Sequence, residues 1–113
     1  DVVNTIKGLE TGDKLLLLAP IKNDKKRSAK DKLKIFIQQG FARIYTAGKV
    51  HLIEDFEDQP LEVFDLVIDR LIVRHEEDFY NRIADAIEMA FYEGKGDCAL
   101  LQLEDNRRIE FSN

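Results

Sequence analysis

The sequence predicts an α+β fold: a two-layer sandwich, mainly antiparallel, with the main helices packed on one face of the sheet. Three observations carry this expectation. Two hairpin-like pairs of short strands flank the turn candidates Ala47-Gly48 and Asp105-Asn106. A continuous apolar run, Lys14-Leu15-Leu16-Leu17-Leu18-Ala19-Pro20, reads as a buried strand closed by its proline. Phe79, Ile83, Ile87 and Phe91 repeat every fourth position, which is the stripe of an amphipathic helix. Helices are too few to cover both faces of such a sheet, so one face is expected to be partly open to solvent or to a partner.

In chain order, Val2, Val3, Ile6 and Leu9 recur at helical spacing, and Thr11-Gly12-Asp13 breaks that helix before the first strand. Ser28-Ala29-Lys30-Asp31 has the Ser-x-x-acid form of a helix start, followed by Leu33, Phe36 and Ile37 as one core-facing stripe. Gly40 stands where a left-handed residue ends a helix and releases the chain into a strand. Two short strands follow, at 41–46 and 49–53, and then an acidic loop over 54–61 that contains Pro60. The longest strand candidate covers 62–74, rich in branched apolar residues. The long helix ends at Gly94 or Gly96, and strands at 98–103 and 108–111 close the chain.

With 113 residues the chain is expected to be one domain, spanning 1–113. It begins at Asp1 without a methionine and reads as a piece of a longer protein. No apolar run approaches the roughly 20 residues that cross a bilayer, and no signal peptide precedes the first element. A cytoplasmic location without membrane contact is therefore expected. The single cysteine, Cys98, excludes an internal disulfide and a cysteine-based zinc site, and its neighbours Ala99, Leu100 and Leu101 mark it as a buried apolar thiol. A net charge of −5 argues against a dedicated DNA-binding module. The charge is uneven, however: 22–34 is strongly basic and 54–62 is acidic, which fits solvated surfaces or contact patches.

No catalytic constellation emerges. A phosphate-cradling GxxxxGK[ST] motif is absent, and Gly94-Lys95-Gly96 ends a helix instead of opening one, so its amides would face away from an anion. His75-Glu76-Glu77-Asp78 contains metal-ligand types, but adjacent residues at a strand-to-helix junction diverge, and acids at a helix start answer the helix dipole. His51 has no serine or cysteine nucleophile nearby in sequence. Asp65 and Asp69 would share a face of a regular strand, as surface residues of a half-exposed sheet. Catalytic, metal and cofactor-binding residues are thus expected to be none.

Two arginines stand inside apolar strands, Arg43 in Gln39-Gly40-Phe41-Ala42-Arg43-Ile44 and Arg70 in Val67-Ile68-Asp69-Arg70-Leu71-Ile72. A full charge there is either paired internally or turned outward for something else to cover. On a regular strand Phe41, Arg43 and Tyr45 face one way; Arg70 alternates with Ile68 and Ile72, and Asp69 with Val67 and Leu71. Neither pattern gives a clean polar face, and a bulge near Asp69-Arg70 would account for that. One reading pairs these arginines with Asp65, Asp69 or Glu62. The other makes them, with Tyr45, a protein-binding patch of the planar, part-apolar kind enriched at interface hot spots.

The order and spacing of several motifs resemble one family over the whole chain. Leu17-Leu18-Ala19-Pro20-Ile21 is similar to its "LAPI/V" strand end, and Gln39-Gly40-Phe41-Ala42-Arg43 to its "QGF/YxR" hairpin entry. Phe64-Asp65-Leu66-Val67-Ile68-Asp69-Arg70-Leu71 resembles its "DVVVDRL" strand. The segment from Arg82 through Ala90 resembles its "RLADSLETAL" helix. The family is the UvrB-binding (interaction) domain of UvrA, a component of the excinuclease ABC of bacterial nucleotide excision repair. The resemblance implies a non-enzymatic docking domain for UvrB, excised from a DNA-dependent ATPase. That parent is expected to dimerise, inspect damaged DNA and bind ATP and zinc elsewhere in its chain, so no cofactor is implied within these residues. It further implies that Arg43 and Arg70, with Tyr45 and Asp69 beside them, bind the partner. The family often has a second arginine where Tyr45 stands, and the loop before Phe64 looks shorter here. The alternative function is an accessory contact to the DNA backbone through the basic 22–34 segment, in which no aromatic residue is interleaved for stacking.

Overall fold

The computed structural model describes residues 1–22, 26–56, 61 and 63–113. Its elements are α1 (Val2–Lys7), β1 (Lys14–Ile21), α2 (Ala29–Gln38), β2 (Arg43–Thr46), β3 (Lys49–Leu52), a 3-10 turn (Ile53–Phe56), β4 (Phe64–Ile72), α3 (Glu77–Glu93), β5 (Asp97–Gln102) and β6 (Arg107–Ser112). The strands form one six-stranded sheet in the order β3-β2-β4-β1-β5-β6, with every neighbouring pair antiparallel. The expected α+β sandwich is therefore present.

Local chemistry explains most element boundaries. Ser28 caps α2, its Oγ accepting from the Asp31 backbone N–H at 3.2 Å, as the Ser-x-x-acid pattern requires. Gly40 takes φ 98° after α2, a left-handed conformation that a side chain would strain. Ala47 and Gly48 are both left-handed, which matches the strand twist of a tight hairpin between β2 and β3. Within the acidic 54–61 segment the chain first makes the 3-10 turn; residues 57–60, and Glu62, lie outside the described ones.

The apolar run of β1 is buried because both of its faces are covered. Leu15 and Leu17 pack with Phe79, Ile83, Ile87 and Ala90 of α3, and Ala19 joins Leu33 and Phe36 of α2 in a second cluster. All the helices thus lie against one side. Leu16 and Leu18 point the other way, into a cluster with Val67, Ala99 and Leu101 that contains no helical residue. Those five are nonetheless buried.

The covering comes from the sheet itself. Arg108 on β6 makes a bidentate pair with Asp65 on β4, at 2.7 and 2.9 Å, and the Tyr45 hydroxyl lies 3.4 Å from Asn106 Oδ1. Three strand spacings separate β4 from β6, about 14 Å on a flat sheet, beyond the reach of an arginine and an aspartate. The sheet is therefore curled, and the Arg108–Asp65 clasp closes its concave side over the third cluster. The face expected to be partly open is so, with its centre covered by the sheet's own curl.

One departure concerns the alternation along β4. Leu17 pairs with Asp69 but Leu18 pairs with Val67, so Ile68 is an extra residue, a bulge beside Asp69-Arg70 where the sequence suggested one. A bulge reverses the alternation beyond it. Asp65 and Val67 face the concave side, whereas Asp69 falls on the helical side with Leu71. Asp65 and Asp69 accordingly do not share a face, and Asp69 is not aligned with Val67.

Candidate functional site

The residues singled out by sequence meet around the junction of β2 and β4. These strands pair only at Ile44–Leu66 and Tyr45–Asp65; before Ile44 the chain splays away from β4. The splay leaves a cleft of about 220 Å³ lined by residues 40–43 on one side and 67–70 on the other. Arg43, Asp69 and Arg70 all contribute to it. Gly40 produces this geometry: its left-handed turn ends α2 and sets the angle at which β2 enters the sheet.

Directly paired residues of antiparallel strands share a face. Tyr45 opposes Asp65 and Arg70 opposes Leu16, so Arg43, Tyr45 and Arg70 all project from the concave, non-helical side. Tyr45 is half-buried against the cluster of Leu16 and Leu18 and lies outside the cleft. Asp69 differs in role: its Oδ1 accepts from Arg82 Nη2 of α3 and from the backbone N–H of Arg70, both at 2.8 Å. It braces the bulge to α3 and orients Arg70 through the main chain.

The ion pairs decide between the two readings of the embedded arginines as far as Asp65 and Asp69 are concerned. Asp65 is taken by Arg108 and Asp69 by Arg82. The internal pairings of Arg43 or Arg70 with these two acids, expected on one reading, are not formed; Glu62 lies outside the described residues. Among the described residues, no carboxylate lies within ion-pairing distance of the Arg43 or Arg70 guanidinium. Arg43 is half-buried and Arg70 exposed. The Arg108 guanidinium, by contrast, has its pKa raised further by the hydrogen bonds to Asp65.

Sequence reasoning missed the apolar rim of this face. Val50 and Leu52 stand opposite Tyr45 and Arg43, and Ile72 lies two residues beyond Arg70; these three are 40%, 39% and 52% exposed. The signal was available, because a two-residue hairpin at Ala47-Gly48 dictates that register. Guanidinium groups ringed by exposed aliphatic and aromatic surface form an arrangement suited to a protein partner carrying carboxylates.

The other candidates have structural employment. His75 ties the segment after α1 to α3: its Nε2 donates to the Leu9 carbonyl at 2.7 Å, and its Nδ1 lies 2.6 Å from the Tyr80 hydroxyl. His51 packs edge-on against Phe56. Cys98 is fully buried, and burial pushes its thiol up to about 11.

The chain matches the family model described as "UvrA interaction domain" over residues 1–104. It belongs to that family. Its relatives include the UvrABC system protein A of Helicobacter pylori, 36% identical over 94% of this chain and 11% of that protein. The UvrABC system protein A of Methanothermobacter thermautotrophicus is 33% identical over 84% of the chain and 10% of the relative, and that of Thermus thermophilus 32% over 75% and 9%. The chain thus spans about a tenth of the length of the curated relatives it matches. For a UvrA interaction domain, the concave arginine face is a candidate contact surface. No helix among the described residues is long and apolar enough to cross a membrane.

Proposed function

We propose that this UvrA interaction domain docks UvrB, the partner protein of the excinuclease, through the concave face bearing Arg43, Tyr45 and Arg70. The role is binding and not catalysis, and the longer protein supplies ATP hydrolysis, zinc binding, dimerisation and contact with damaged DNA. One observation carries this reading: Asp65 and Asp69 are committed to Arg108 and Arg82, while Arg43 and Arg70 have no carboxylate partner among the described residues. A rigid sheet thus presents two charges 27 positions apart in sequence on one surface (70 minus 43). Complementary acids on UvrB would set the docking register and speed encounter, and those that become buried would add affinity. Asp69 contributes by fixing the β4 bulge that aims Arg70.

Calorimetric titration of the chain with purified UvrB tests the proposal. Arg43→Ala with Arg70→Ala is expected to cost about 2–5 kcal/mol, roughly 30-fold or more in affinity. An affinity within about twofold of the parent, with an unchanged thermal transition, would remove this face as the docking surface.

A further inference from the structure

A second surface is built where β1, α2 and the end of α3 meet, away from the docking face. A groove of about 200 Å³ opens there over a floor of Ile35 and Phe36. Its walls carry Lys22, Arg27 and Lys32 from the basic segment and Lys95 from the turn after α3. Tyr92 also lines the groove and is 78% exposed, an unusual position for an aromatic ring. In sequence no aromatic residue is interleaved within the basic segment; the fold brings an exposed one from a helix more than fifty residues away.

The groove is organised. The Lys32 ammonium donates to the Lys22 carbonyl, and Lys22 Nζ pairs with Asp97 at 2.7 Å. That pair and a hydrogen bond from Ser112 hold the Asp97 carboxyl below its usual range. Among the described residues Glu93 is the one acid in the lining, and burial pushes its pKa up.

We infer that this groove binds a single-stranded nucleic-acid segment, with phosphates against Lys22, Arg27, Lys32 and Lys95 and one base stacked on Tyr92. Lysines dominate the cations, and an ammonium is a point charge that donates to phosphate oxygens from many directions. A ring beside such a track is the arrangement by which sequence-tolerant single-strand sites hold bases. An acidic protein would also meet the charges, and competition by polyglutamate separates the two. The inference is independent of the UvrB reading, because it shares no residue with that face.

Fluorescence anisotropy of the 113-residue chain with a labelled oligothymidylate of about 12 nucleotides tests it. Binding should weaken between about 50 and 200 mM salt with a log–log slope of about −2 to −3, for three or four phosphates at roughly 0.7 each. Tyr92→Ala should lower affinity about 5- to 150-fold while Tyr92→Phe retains it. Arg27→Gln with Lys95→Gln should flatten the slope by about 1.4. Tyr92 is exposed, so its variants keep the parent's thermal transition, which is checked alongside. Absence of salt-sensitive binding overturns the inference. So does an unchanged affinity in Tyr92→Ala, equal or tighter binding of a duplex, or equal competition by polyglutamate.

Discussion

Replacing Arg108 by methionine tests how the concave side of the sheet is closed. The substitution keeps the apolar stem and removes the guanidinium, leaving Asp65 as an unpaired carboxylate whose side chain is 13% exposed. Removing one partner of a fully buried pair costs about 3–5 kcal/mol, and an exposed pair is worth about 0.2–1 kcal/mol. The Arg108 side chain is 30% exposed, which places this pair between those limits, at about 2–3 kcal/mol. For a chain of this size that lowers the melting temperature by about 8–12 °C. Asp65→Asn should cost less, about 1 kcal/mol, because the freed guanidinium still has Glu110 at 3.2 Å and open water. Leucine at 65 combined with methionine at 108 should recover to within about 1 kcal/mol of the parent, since an apolar pair carries no stranded charge. Differential scanning calorimetry reads all three variants. A loss below about 0.5 kcal/mol for Arg108→Met would show that the pair does not close the third cluster, and the curled sheet would need another cause.

Other expected outcomes follow from local geometry. A methyl group on Gly94 would lie 2.0 Å from the Asp97 carbonyl oxygen, so Gly94→Ala should destabilise by more than about 2 kcal/mol in urea unfolding, although Gly94 has an ordinary φ of −84°. Cys98 should react with a thiol reagent at pH 8 only as fast as the chain opens, because its thiol is buried and shifted up to about 11; rapid reaction in the native state would contradict this. Glu93 has its pKa raised by burial, so the folded state holds its proton longer than the unfolded chain, and its contribution to stability falls as pH rises through the carboxylate range. The stability of Glu93→Gln relative to the parent should therefore increase with pH across that window and level off above it. Arg82→Ala should cost only about 0.2–1 kcal/mol in stability, since its side chain is 57% exposed, yet it should weaken UvrB binding by releasing Asp69 and with it the aim of Arg70.

Much of the fold was legible because it rests on local rules. The Ser28 cap, the left-handed Gly40, the Ala47-Gly48 hairpin and the stripe of Phe79, Ile83 and Ile87 each follow from chemistry within a few residues. The candidate site was half legible. Two arginines in apolar strands announce themselves, but their partners cannot be chosen among three nearby acids without the register of β4. One extra residue at Ile68 decides it for Asp65 and Asp69, turning Asp69 toward Arg82 of α3 and leaving Asp65 on the concave side for Arg108.

The sequence by itself determined the element types, the buried cysteine and the family, through periodicity, turn residues and motif order. Only the tertiary structure decided which charges are spent within the fold. Arg108 meets Asp65 across 43 residues because the sheet curls, and Tyr92 meets the basic segment because α3 ends beside α2. Both are consequences of side chains converging from distant parts of the chain. Such convergence depends on strand order, twist and a single bulge, none of which leaves a periodic trace in the sequence.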